Sequence, residues 1–130
     1  MPASAFDAET AIVARGDGRY DTQLSTAWDI GDNANGGYAL LCVLRALRAE
    51  AGHADPLSIT THFLRPIQGG GNGRIDTTLV RRGRSVSVVT GDLTVAETQR
   101  LRVSAVFGDI EDDDADVAID LPAPPIPAPE

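Results

Sequence analysis

NGGYALLCVLRALR, residues 35–48, is the stretch whose reading decides how this chain folds. From Tyr38 to Leu44 it carries no charge. A helix lying on a protein surface shows a polar face within two turns. A helix here must therefore be covered on most sides. Asn35 or Asn33 suits its N-cap, Gly52 suits its stop, and Pro56 lies just beyond, so the helix is predicted over about 36–51. Gly36 and Gly37 stand at its front. Glycine is costly in a helix unless something comes close to the backbone.

Outward from the helix, the pattern is β. Residues 10–15 and 19–28 are strand-like, with Gly16-Asp17-Gly18 turning between them. DIGDNAN, residues 29–35, is dense in turn and cap residues. After the helix, Leu57, Ile59, Thr61 and Phe63 alternate on one face of a strand that Pro66 and QGGGNG terminate. Further strands are predicted over 74–82, 85–95 and 101–107, the last with Leu101, Val103, Ala105 and Phe107 on one face. One helix and a large antiparallel sheet must bury each other. The predicted class is α+β, a curved sheet wrapped around one long helix.

Composition narrows the function. Hydrophobic residues are 42% of 130, enough for one folded domain. The net charge of −8 is unevenly placed: residues 1–108 balance eleven acids against eleven arginines, and 109–130 hold eight acids and no base. That region also has five of the eight prolines and reads as an acidic, proline-rich tail or linker after a domain at 1–108. Lysine is absent and no basic stripe occurs, which argues against a nucleic-acid partner. No apolar run is long enough to span a membrane, and the first ten residues lack the positive charge of a secretory signal, so a cytoplasmic location is expected. The single cysteine, Cys42, reads as a buried small hydrophobe. Two histidines and one cysteine at unrelated spacings make no usual zinc site. No G-x-S-x-G occurs, and GGGNG lacks the Lys-Ser/Thr of a phosphate loop.

Three motifs in order carry a resemblance: N35-G36-G37-Y38 opening the helix, H62-F63-L64-R65-P66 on a strand, and R81-R82-G83-R84-S85-V86-S87 at a strand turn. Together they resemble acyl-CoA thioesterases of the hotdog fold, most nearly the N-terminal half of the two-hotdog thioesterase II type. The resemblance covers about Gly18 to Phe107, and LPAPPIPAPE is similar to the linker between the halves. It implies paired hotdogs sharing one sheet, either a homo-oligomer or a second hotdog half. It also implies acyl-CoA substrates, no metal, and no cofactor beyond the coenzyme A of the substrate. In such enzymes the catalytic carboxylate, hydroxyl and amide belong to the second half, so the resemblance transfers none of them to this chain.

Candidate site residues follow from thioester chemistry, which needs a polarised carbonyl and an activated water. A helix N-terminus offers unpaired N–H groups and a partial positive charge. Asn35, Gly36 and Gly37 could bring them to a thioester oxygen; close packing against a neighbour explains the glycines equally well. Asp32, with Asp29 behind it, is the nearest carboxylate, although both also suit turn and capping roles. His62 is a candidate base or a satisfied interface histidine, and His53 reads as surface. Arg65, Arg81, Arg82, Gly83, Arg84 and Ser85 could form a patch for coenzyme A phosphates, or the arginines could be a charged hairpin end. Trp28 and Tyr38 flank the helix entrance. The competing functional reading is a non-catalytic hotdog that binds acyl groups or supports a catalytic partner. A hydratase or dehydratase would need an acid–histidine pair that is not evident.

Overall fold

The computed structural model describes residues 4–111 and 121–128. Chain order is α1 (Ala5–Glu9), β1 (Ile12–Gly16), β2 (Arg19–Gln23), a 3₁₀ turn (Thr26–Trp28), β3 (Asp29–Ile30), β4 (Asn33–Ala34), α2 (Gly36–Ala51), β5 (Asp55–Phe63), β6 (Asn72–Arg82), β7 (Val86–Val95) and β8 (Thr98–Gly108). Six strands form one antiparallel sheet in the order β1-β2-β6-β7-β8-β5, and β3 and β4 form a small hairpin. The acidic run over 112–120 lies outside the described residues, and 121–128 are exposed with neither helix nor strand.

The sheet wraps α2 because its register rows alternate. Tyr20, Ile75, Leu93 and Leu101 pair in one row across β2, β6, β7 and β8, and the row ends at Phe63 on β5. The first four are buried. The next row, Asp76–Asp92–Arg102–His62, faces the other way. This period of two sends apolar side chains to the helix and polar ones outward.

Helix α2 crosses β6, β7 and β8. Its Ala39, Cys42, Val43, Ala46, Leu47 and Ala51 are fully buried. Each Val or Leu so buried contributes about 1.5–3 kcal/mol. Gly91 on β7 lets the helix sit low: a Cβ there would lie 2.8 Å from Leu47 Cδ2 and 3.2 Å from Val43 Cγ1. Leu40, Leu41 and Leu44 are half-buried, so one side of the uncharged segment is only partly covered by this chain.

Both helix ends are fixed locally. Asn35 Oδ1 accepts from the N–H groups of Gly37 (2.8 Å) and Tyr38 (3.2 Å). Asn35 N–H donates to Trp28 O and Ala34 N–H to Ile67 O, which ties the helix start to two loops. Gly52, at φ 71°, takes the left-handed conformation that ends the helix. Arg82 Nη2 donates to Glu50 O at 2.8 Å and caps that end again.

The two sheet edges differ. β1 is short, bulged before Gly16 and carries Arg15. β5 has nine residues, pairs on one side only, and holds no charged side chain between Asp55 and His62. Leu57, Ile59 and Phe63 on β5, with Leu64 just after it, are all exposed. Natural sheets blunt a bare edge with charge, bulges or shortness. β1 has all three; β5 has a bulge and a charge only at its Asp55–Ser58 start, and its length from Ile59 to Phe63 is left without either save His62.

Candidate functional site

The start of α2 opens on a cleft of about 400 Å³ lined by Asn33, Ala34, Gly36 and the run from Phe63 to Ile67. This volume lies within the range of small-molecule sites. The walls come from β4, the first turn of α2, and the segment leaving β5. Ala34, Phe63, Leu64, Pro66 and Ile67 make it largely apolar, and Arg65 is the one cation among the described residues that line it.

The two glycines have separate local causes. A Cβ on Gly36 would lie 2.9 Å from Cε1 and 3.2 Å from Cζ of Phe63. Gly36 therefore admits an aromatic ring against the helix end. A Cβ on Gly37 would meet only its own cap, Asn35 Oδ1, at 3.2 Å. Because Asn35 holds the N–H groups of Gly37 and Tyr38, only the Gly36 N–H stays without a partner among the described residues of the first turn. Phe63, in sequence a face residue of its strand and part of a motif, is brought to the cleft by the fold. Its signal was HFLRP itself, an aromatic followed by a strand-ending proline.

The other candidates scatter. Asp32 is exposed in the β3–β4 turn. Asp29 turns the other way, into the glycine loop, where a Cβ on Gly69 would sit 2.4 Å from its Oδ1; that oxygen is buried and unpartnered among the described residues. His62 is exposed and pairs in register with Arg102, in the row pointing away from α2. It does not join the helix start, because β5 alternates and Phe63 takes the inward place. Trp28 stacks on Tyr38 at 6.0 Å and Phe6 meets Trp28 edge-on at 5.2 Å. Tyr38 is buried, with its hydroxyl donating to Glu9 O and accepting from Ser25 N–H. Burial raises its pKa, with Glu9 and Cys42 adding to the shift against the Ser25 bond. These aromatics brace the helix start from behind.

The arginine patch divides. Arg65 follows β5 at the helix start, whereas Arg81, Arg82, Gly83, Arg84 and Ser85 cluster where β6 turns into β7. That turn lies at the opposite end of α2, since Arg82 reaches Glu50. Sixteen helical residues, about 24 Å, separate the two ends. The expectation that Arg65 adjoins the turn is corrected. β6 is eleven residues long and carries the chain the full height of the sheet in between.

His53 also departs from its surface reading. It is half-buried, with Nδ1 2.7 Å from Asp109 and Nε2 3.3 Å from Gly83 O. The Asp109 carboxylate, then the Gly83 carbonyl, holds its pKa above the ordinary value, and His53 holds Asp109 below its own. Tyr20, on the core row, donates to Glu50 at 2.5 Å and is pushed up to about 12, first by burial and then by that carboxylate.

A larger cavity of about 510 Å³ lies by β1, β2 and β6, along the outward row Val13–Asp21–Arg74–Thr94. It holds no histidine or cysteine, and its acids Asp21 and Glu97 sit among Arg15 and Arg74. Among the described residues no three His, Cys, Asp or Glu side chains cluster as metal ligands, and no helix is long and apolar enough to cross a membrane.

Comparison with known proteins decides the family. The acyl-CoA thioesterase N-terminal domain model matches residues 24–108, which include the capped helix, β5 and the arginine turn. The chain belongs to that family. Its fold is the hotdog fold, as in a protein of unknown function from Alicyclobacillus acidocaldarius, at 23% identity and TM-score 0.77 over 96% of this chain and 47% of that one. The chain is similar to a structure described as a thioesterase II from Thermobifida fusca, at 30% identity and TM-score 0.86, covering 98% of this chain and 47% of that one. The tesB protein of Mycobacterium avium subspecies paratuberculosis shares the fold at 20% identity and TM-score 0.76, over 95% of this chain and 48% of that one. A search of curated proteins gives no match. The chain spans about half the length of each of these three structures.

Proposed function

We propose that this hotdog works as one member of a pair that hydrolyses acyl-CoA to the free acid and coenzyme A. The partner is a second copy or a second hotdog half, joined antiparallel along β5. The observation that carries the reading is the apolar cleft at the start of α2 beside the bare β5 edge. A thioester oxygen placed in that cleft would meet the Gly36 N–H and the positive end of the helix. Among the described residues no carboxylate lines the cleft, so the group that activates water comes from the partner in this reading.

Antiparallel joining would also reunite the divided arginines. It sets the Phe63 end of one β5 beside the Asp55 end of the other. The partner's β6–β7 turn lies on that same end of its sheet. Two copies would thus bring Arg81 and Arg84 of one to the side of the shared sheet that holds the other's cleft, where they suit the phosphates of coenzyme A. The family match and the half-length coverage of thioesterase II support the pairing. The reaction uses water and the substrate's own coenzyme A, and we place it in the cytoplasm.

Steady-state hydrolysis of acyl-CoA with several chain lengths tests this, on the chain alone and on the chain joined to a second hotdog. Turnover by the joined protein is expected. Its absence for every acyl chain, in a protein shown to be folded and assembled, removes the enzyme claim. The second reading, an acyl-binding support without catalysis, is favoured by the positions of Asp32, Asp29 and His62. It predicts binding by calorimetry with no turnover in either form.

A further inference from the structure

We propose that Phe63 sets how far an acyl chain enters the cleft; this inference rests on the acyl-CoA reading above. Phe63 combines two properties that rarely coincide. It is 58% exposed, yet its ring lies against the helix start at a distance that only glycine at position 36 permits. In this proposal the exposed ring acts as a wall that turns. It sits at the last residue of β5, where pairing with β8 ends at Leu101 and the chain leaves for Pro66.

The ring lies over Gly36, and Leu40, Leu41 and Leu44 follow it along α2, half-buried. Beyond Phe63 on the inward face of β5 stand Thr61, whose Oγ1 is buried without a partner among the described residues, and Ile59. In this proposal a longer chain would run past the ring between α2 and these β5 residues. In the closed position the cleft takes a short acyl group. Turned out, or truncated, Phe63 opens the path to a longer straight chain. Each further methylene buried raises binding roughly fourfold.

The test uses S-alkyl thioethers of coenzyme A, from butyl to hexadecyl, which bind without being hydrolysed. Calorimetry on the assembled wild type, Phe63→Ala and Phe63→Leu gives affinity against chain length. Phe63→Ala should raise the dodecyl-to-butyl affinity ratio by roughly fifteenfold, the effect of two added buried methylenes. Phe63→Leu should fall between it and wild type. Gly36→Ala would put a Cβ 2.9 Å from Cε1 of Phe63 and push the ring off the helix start, so it should shift preference toward longer chains as Phe63→Ala does, and the inference stays testable if Phe63→Ala folds poorly. An unchanged chain-length profile in all variants overturns the role of Phe63 and leaves the acyl-CoA reading standing. No binding of any thioether by the wild type overturns both.

Discussion

Gly91→Ala is the sharpest probe of how α2 sits in the sheet. The added Cβ would lie 2.8 Å from Leu47 Cδ2 and 3.2 Å from Val43 Cγ1. Carbon atoms in contact prefer about 3.5–4.0 Å, so the shortfall against Leu47 is about 0.7 Å. Neither neighbour can yield easily, because Leu47 and Val43 are both fully buried. Overpacking of this kind costs about 1–3 kcal/mol. The loss of glycine's chain entropy returns about 0.5–1 kcal/mol. The net destabilisation is about 1–2 kcal/mol, or a Tm lower by roughly 4–8 °C for a domain of this size. Calorimetric melting measures it directly. Leu47→Ala alone should cost about 2–5 kcal/mol, and adding Gly91→Ala to it should cost almost nothing, a coupling of about 1–2 kcal/mol. A Gly91→Ala protein that melts at or above the wild-type temperature would refute the close crossing of helix and sheet.

Other outcomes follow from the same geometry. Asn35→Ala removes two capping bonds and should cost about 1 kcal/mol, while Asn35→Asp should retain most of the stability in thermal melts. Arg82→Ala should lower Tm because it uncaps Glu50 O, whereas Arg81→Ala and Arg84→Ala should leave Tm unchanged and weaken coenzyme A binding in a salt-dependent way. The His53–Asp109 pair should stabilise the fold most in mildly acidic solution. The raised His53 pKa gives stability that is present below its unfolded value of about 6.5 and lost as pH rises through the folded value; the lowered Asp109 pKa gives stability present above about 3.9 and lost as pH falls through its folded value. The melting gap between wild type and His53→Gln should therefore narrow from pH of about 5.5 to about 9. Ile59→Lys places a charge on the bare β5 edge, and where the chain pairs along β5 as proposed, light scattering should show that pairing weakened.

Much of this architecture is legible in the chain because its signals are local. An uncharged helix framed by Asn35 and Gly52 shows where α2 begins and ends. Strict alternation in Leu101, Val103, Ala105 and Phe107 gives the buried face of β8. α1 is marked only by its Ser4–Asp7 capping box, because five residues carry no apolar period. The site is less legible because it depends on contacts distant in sequence. β5 pairs with β8 rather than with its neighbour β6, and only that pairing places Phe63 over Gly36. Arg82 shows the opposite failure: an arginine in a cluster suited to phosphate serves a helix carbonyl that sequence spacing does not reveal. His53 is similar, since its partner Asp109 lies at the far end of the domain.

The central claim is that an acyl-CoA slot lies at the start of α2. Amide NMR of the assembled protein, titrated with a non-hydrolysable acyl-CoA thioether, tests it most directly. Saturable shifts at Gly36, Ala34 and Ile67 are predicted, with smaller ones along β1. Saturable shifts confined to β1, β2 and the outward row, with Gly36 unmoved, would contradict it.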